Sequence, residues 1–174
     1  MTAPLIDILL ATYNGARYLA PQLDSLLGQT HQHFRLLVSD DGSTDATLDI
    51  LRGYRAAFGE RLILLPNPSP GAGVVRDFER LMQASLADGQ AQWAASCDQD
   101  DVWLPEKLEI LSRKIGGADL VFGDAEVIGK GGEKIADSWR ALAGIIPHLT
   151  TSSLLTGFTD VTGCLTLFRA SLLS

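Results

Sequence analysis

The chain has 174 residues, 46% of them apolar and 20% charged, and a formal net charge of −7. Its length and composition fit one soluble globular domain over residues 1–174 with a core of its own. The acidic balance leaves no basic stripe for phosphates, which excludes a nucleic-acid binder, and any anionic ligand would need a bridging cation or local arginines.

Residues 6–11 are a short, mostly apolar run, as expected of a buried strand. Thr12-Tyr13-Asn14-Gly15 breaks it, and a helix is predicted over 16–27, with Leu19, Leu23, Leu26 and Leu27 on one face and Gly28 at its end. A second apolar strand covers 34–39. Asp40-Asp41-Gly42-Ser43-Thr44-Asp45 turns from it into a helix, with Ser43, Thr44 or Asp45 as cap and Leu48, Leu51 and Tyr54 facing inward. A third strand, 62–65, is stopped by Pro66-Asn67-Pro68-Ser69-Pro70-Gly71. The helix after it carries Val75, Phe78, Leu81 and Met82 inward. A fourth strand, 92–97, leads into an acidic run, and Pro105 opens a helix that buries Leu108, Leu111 and Ile115. Short strands follow at 120–122 and 126–128, with a Gly131-Gly132 turn beyond. The pattern weakens over 135–159; 161–168 reads as a strand and 169–174 as the start of a helix. Strand and helix alternate, the signature of an α/β domain with a mainly parallel sheet.

No apolar run approaches the roughly 20 residues that span a bilayer. The N-terminal residues show neither a basic n-region nor an apolar h-region, so no signal peptide is expected. Cys97 and Cys164 lack CxxC spacing and read as reduced thiols of a cytosolic protein. His31 and His33 read as a solvated loop, and His148 has no context.

In an open α/β sheet, ligands bind beyond the carboxyl ends of the strands. Thr12-Tyr13-Asn14, Asp40-Asp41 and Asp98-Gln99-Asp100-Asp101 all fall at such ends. Three carboxylates within four residues repel one another and persist only with something positive among them. A divalent cation answers that need: hard oxygen ligands suit Mg²⁺ or Mn²⁺, which complete their shells with substrate phosphates. Asp98 and Asp100 then form an Asp-x-Asp metal pair, although Asp101 could simply cap the next helix. Asp40-Asp41 could accept hydrogen bonds from a base or ribose, or serve the turn alone. Tyr13 could stack on a base or pack in the core. Arg76 could pair with a phosphate or lie free on the surface. Gly71-Ala72-Gly73 lacks the third glycine of a dinucleotide fingerprint, and no Gly-Lys-Ser phosphate loop exists. A nucleotidyltransferase is disfavoured because residues 9–17 supply no basic phosphate loop. A signalling receiver domain is disfavoured because no strand ends in a Lys followed by Pro.

Leu10-Ala11-Thr12-Tyr13-Asn14-Gly15, Gln29-Thr30, Val38-Ser39-Asp40-Asp41-Gly42-Ser43-Thr44-Asp45 and Asp98-Gln99-Asp100-Asp101-Val102-Trp103-Leu104-Pro105 together resemble family 2 glycosyltransferases, in order and spacing. The resemblance implies a GT-A fold with a mainly parallel sheet flanked by helices. It also implies a nucleotide-sugar donor, a divalent metal (Mg²⁺ or Mn²⁺) and inversion at the anomeric carbon. Gln99, Val102-Trp103 and Val161-Thr162-Gly163-Cys164-Leu165 look most like the rhamnosyltransferase-like branch of bacterial polysaccharide assembly, with dTDP-L-rhamnose favoured and a UDP-sugar as the other donor. By resemblance, Ala11, Thr12, Tyr13, Asn14, Asp40, Asp41, Arg76, Asp98 and Gln99 bind the donor, and Asp98 and Asp100 hold the metal, with Asp100 the preferred direct ligand. Asp101 and Trp103 then lie second to the metal or face the sugar. The implied acceptor is a saccharide or a lipid-linked saccharide, at the cytoplasmic face of the membrane. The family's catalytic base comes from a segment expected beyond Ser174, so a donor-binding, non-catalytic fragment is the alternative. Asp124 and Asp160 are the stand-ins for the base within the chain.

Overall fold

In the computed structural model, which describes residues 3–144 and 162–173, the alternating pattern becomes a sheet covered on both faces. Strands β1 (Ile6–Thr12), β2 (Phe34–Asp40), β3 (Leu62–Leu64) and β4 (Trp93–Cys97) are mutually parallel. They alternate with helices α1 (Ala16–Leu27), α2 (Thr47–Phe58) and α3 (Val74–Asp88), and α4 (Lys107–Lys114) follows β4. Beyond α4 come β5 (Leu120–Phe122), a hairpin of β6 (Val127–Ile128) with β7 (Lys134–Ala136), a single-turn α5 (Trp139–Leu142) and β8 (Thr166–Arg169). The main sheet runs β3-β2-β1-β4-β8-β5, and β8 is antiparallel to both of its neighbours.

Strand periodicity sorts the side chains onto the two faces. Ile6, Ile8 and Leu10 of β1, Phe34, Leu36 and Val38 of β2, and Trp93, Ala95 and Cys97 of β4 point to the face covered by α1, α2 and α4. Leu9, Leu37, Ala94 and Phe168 point to the opposite face, where Leu81 of α3 packs. That second face also buries charge. Asp7 is fully buried and takes a two-pronged contact from Arg35, Nε to Oδ1 at 2.8 Å and Nη2 to Oδ2 at 2.9 Å, and a third hydrogen bond from Ser85 Oγ at 2.6 Å. Asp77 of α3, also buried, accepts from Ser39 Oγ and from Arg80, both at 2.6 Å. Both carboxylates are ion-paired, as burial demands.

Several elements depart from the sequence pattern. Val75, expected inward, is 77% exposed because α3 turns Asp77, Leu81 and Ser85 to the sheet instead. Residues 163–165 form a 3₁₀ turn, so the expected strand over 161–168 begins only at Thr166; Val161 lies outside the described residues. The start of a helix expected at 169–174 is a 3₁₀ turn over Ala170–Leu173. Strand β7 carries too few residues to be read from alternation. His31, expected in solvent, is largely buried, with Nε2 2.9 Å from the Pro4 carbonyl. Both cysteines are free thiols and buried. Among the described residues no helix is long and apolar enough to cross a membrane. Asp160 and His148 lie outside the described residues.

Candidate functional site

After β1 the chain continues on one side to β2 and β3, then returns to β4 on the other side of β1. The crevice beyond the carboxyl ends of β1 and β4 is therefore the switch point where α/β sheets take ligands. Thr12-Tyr13-Asn14, Asp40-Asp41 and the acidic run all converge on it.

The β1 and β2 loops are laced together. Asp40 Oδ1 accepts from Thr12 Oγ1 at 2.9 Å and Ser43 Oγ at 2.6 Å, and its Oδ2 accepts from the backbone N–H of Gly42 and Ser43 at 3.1 and 2.8 Å. Asn14, at φ 45°, donates its N–H to Ser43 Oγ at 2.9 Å, and its Oδ1 accepts from the Thr44 N–H at 2.9 Å. Asp45 joins two helix starts: Oδ2 accepts from the Ala16 N–H at 3.1 Å, and Oδ1 from the Thr47 N–H at 3.0 Å. Of the three cap candidates, Asp45 is the one that takes the α2 N–H, from one residue before the N-cap position. Asp41 turns the other way. Its carboxylate accepts the backbone N–H groups of Gly71, Ala72 and Gly73 at 2.8, 3.0 and 2.9 Å. Gly71 and Gly73 have φ of 82° and 91°, which glycine alone adopts without strain, so the turn wraps the carboxylate as a nest. Both carboxylates thus organise loops. Ala11 is half-buried, Thr12 is buried under the loops, and Tyr13 is 56% exposed.

In the acidic run, Asp98 is half-buried. Burial and then the Asp101 charge raise its carboxyl above the ordinary carboxylate range. Oxygens of Asp98 and Asp101 and the Cys164 sulfur lie within 4.8 Å of one another, whereas Asp100, the expected direct ligand, is exposed and outside this group. Two converging carboxylates are a donor set that fits a hard divalent cation; burial holds the Cys164 thiol well above its ordinary value, so it stays protonated. The required positive charge is also supplied by the chain. Lys107, unnoticed in the sequence, places Nζ 3.5 Å from the Trp103 ring centroid and donates to the Cys164 carbonyl at 2.5 Å. Burial lowers it to about 8, against the opposing pull of Asp101 and Asp98. Its place directly after Pro105-Glu106, as the nearest cation to the run, was the available signal.

Trp103 lies in the main core, 4% exposed, its indole N–H without a partner. Arg76 is exposed on α3 and paired with Glu79 at 2.6 Å. Gln29, of the Gln29-Thr30 pair, holds the far side of the acidic run. Its Oε1 accepts from the Leu108 N–H at 3.1 Å and its Nε2 donates to the Leu104 carbonyl at 2.8 Å. Asp124 is committed elsewhere: Ser138 Oγ donates to it at 2.5 Å and the Ala125 N–H at 2.8 Å. Burial opposes its charge, but these bonds win and hold it below the usual carboxylate range, which makes it a weak base.

A covered, mostly parallel sheet with an acidic run at the end of β4 defines the GT-A class of fold. The chain belongs to glycosyl transferase family 2, whose family model matches residues 7–174. It is 32% identical over 106 residues to TuaG of Bacillus subtilis (strain 168), a glycosyltransferase named for teichuronic acid biosynthesis, covering 61% of this chain and 40% of TuaG. It is 30% identical over 100 residues to the dTDP-rhamnosyl transferase RfbG of Shigella flexneri, covering 58% of this chain and 34% of RfbG. These matches span less than half the length of either relative. S. aureus TarS 1-349 in complex with UDP-GlcNAc shares the fold at 20% identity and a TM-score of 0.70, over 98% of this chain and 46% of that one. The mannosyltransferase PcManGT of Pyrobaculum calidifontis, in complex with GDP-Man and Mn²⁺, does so at 19% identity and a TM-score of 0.56, over 74% and 36%.

Proposed function

We propose that this chain holds the donor half of a metal-dependent, inverting glycosyltransferase that uses a nucleotide-diphosphate sugar. The observation that carries the reading is the meeting of Asp98 and Asp101 at the end of β4, on the same sheet edge as the exposed Tyr13 at the end of the neighbouring β1. Their spacing suits one divalent ion, Mg²⁺ or Mn²⁺, while Asp100 is exposed beside them on the same loop. When bound, such an ion neutralises the charge that builds on a departing diphosphate. The chain's own residues do the holding. Tyr13 offers an aromatic face to a base, and Thr12, Asn14, Asp40 and Asp41 fix the loops around it. Asp98 must be ionised to serve, which its half-buried setting opposes.

The donor is dTDP-L-rhamnose, a reading supported by the Gln99 and Trp103 signature and by the similarity to RfbG; a UDP-sugar is the competing donor. The acceptor is a saccharide or lipid-linked saccharide of a cell-envelope polysaccharide, met at the cytoplasmic face of the membrane. Calorimetric titration of the chain with dTDP, UDP and GDP and their sugars, with and without Mn²⁺, tests the reading. Mn²⁺-dependent binding of at least one of them, with dTDP-L-rhamnose tightest among the sugars, is expected. Failure of every nucleotide diphosphate to bind would overturn it. Binding without transfer to any acceptor would favour a donor-binding module that leaves proton abstraction to other residues.

A further inference from the structure

Gln99 stands in the middle of the acidic run, yet its side chain is spent on the opposite loop. Its Oε1 accepts from the Tyr13 N–H at 3.0 Å, and its Nε2 donates to the Tyr13 carbonyl at 3.1 Å. A carboxamide offers one acceptor and one donor side by side, as a peptide group does. The register of β1 with β4 ends at Leu10 opposite Cys97. The Gln99 amide therefore continues that pairing past the point where the two backbones part.

Gly15 records the same contact. Its φ of −96° and ψ of 9° are open to any residue, so backbone freedom does not call for glycine. Space does: a Cβ there would lie 2.1 Å from Gln99 Oε1 and 2.5 Å from its Cδ. Gly15 is the socket in which the Gln99 amide sits.

We propose that Gln99 is a positioning residue that acts through Tyr13 on the nucleoside end of the donor rather than on the metal. This rests on the donor-site reading above. It sets Gln99 apart from its neighbours Asp98 and Asp101, although they share a loop. Its contribution is independent of metal, and a side chain at position 15 abolishes it as fully as its own truncation does.

The test measures dTDP and UDP affinity by NMR, so that millimolar values stay readable, in Mn²⁺ and in EDTA, alongside urea unfolding. The variants are Gln99→Ala, Gln99→Glu, Gly15→Ala and the double variant Gly15→Ala with Gln99→Ala. Gln99→Ala is expected to weaken nucleotide binding about tenfold, the value of one to two net hydrogen bonds, equally in both arms. Asp98→Asn should instead abolish the difference between the arms. Gln99→Glu, which turns a carboxylate oxygen on the Tyr13 carbonyl in place of the NH₂, should bind no better than Gln99→Ala. Gly15→Ala should match Gln99→Ala, and the double variant should be no worse than either. A Gln99→Ala loss confined to the Mn²⁺ arm, or losses that multiply in the double variant, would overturn the proposal. If wild type binds no nucleotide, the donor reading fails on its own. The unfolding midpoints still judge the clasp: non-additive destabilisation supports it, and additive destabilisation refutes it.

Discussion

Asp40 and Asp41 are adjacent carboxylates with divided work. Asp40 takes four donors from the β1 and β2 loops, and Asp41 takes three amides from the turn before α3. Two of the Asp40 donors are hydroxyls, which can rotate to accept instead. Asp40→Asn can therefore point its NH₂ at Thr12 and Ser43 Oγ and keep its oxygen on the backbone amides, for a cost of about 1 kcal/mol; Asp40→Ala strands those amides and should cost about 3 kcal/mol. Urea unfolding separates the two, and equal losses would refute this division of donors. Asp45 gives a pH signature. The Thr47 hydroxyl, foremost, and the Thr47 and Ala16 amides hold its carboxyl below the usual range against a smaller effect of desolvation. Its folded pKa is thus below its unfolded value, so its stabilisation is complete above about 4 and is lost as the pH falls through the folded value. Asp45→Asn should flatten the acid limb of melting temperature against pH; an unchanged limb would count against the cap. That these positions are polar and lie at strand ends was plain in the sequence. Which donors each one meets was not, because the partners of Asp41 lie some thirty residues away.

Helix α4 shows how an element carries a site. It begins at Lys107, with residues 102–106 between it and the acidic run, so whatever fixes its first turn anchors the segment that leaves the run. Its N-cap position, Glu106, makes no side-chain cap bond. Gln29, at the far end of α1, takes the Leu108 N–H instead, and the Thr30 N–H donates to the Pro105 carbonyl at 2.9 Å. Gln29→Ala is expected to cost about 2 kcal/mol in urea unfolding, the value of a lost cap with a stranded buried partner. It should also weaken Mn²⁺ binding several-fold, read by the paramagnetic signal of the free ion. Intact Mn²⁺ affinity in the destabilised variant would separate the helix from the site. The helix itself was legible from Leu108, Leu111 and Ile115, all buried as expected. Its cap was not, because capping rules look to neighbours in sequence and this one is tertiary.

Across the whole molecule, a chain of net charge −7 concentrates three carboxylates at one strand end and sets Lys107 beside them. The lysine meets the repulsion when no ion is bound and competes with an ion when one is. Lys107→Met, which keeps the apolar stem against Trp103, should tighten Mn²⁺ binding by about tenfold through removal of a like charge. Calorimetry checks it, and weaker binding would show that the lysine supports the site. By itself the sequence determined the alternation of strand and helix, because periods of 2 and 3.6 are written into the order of apolar residues. It also determined that the polar clusters sit at strand ends, and hence the family. Only the tertiary structure decided that β8 enters the sheet antiparallel, that Asp101 rather than Asp100 meets Asp98, that Cys164 and Lys107 join them, and that Gln99 reaches across to Tyr13. Those outcomes depend on where side chains point once the backbone has left the strand. That direction is set by packing across the sheet and by partners far along the chain, so no local pattern encodes it.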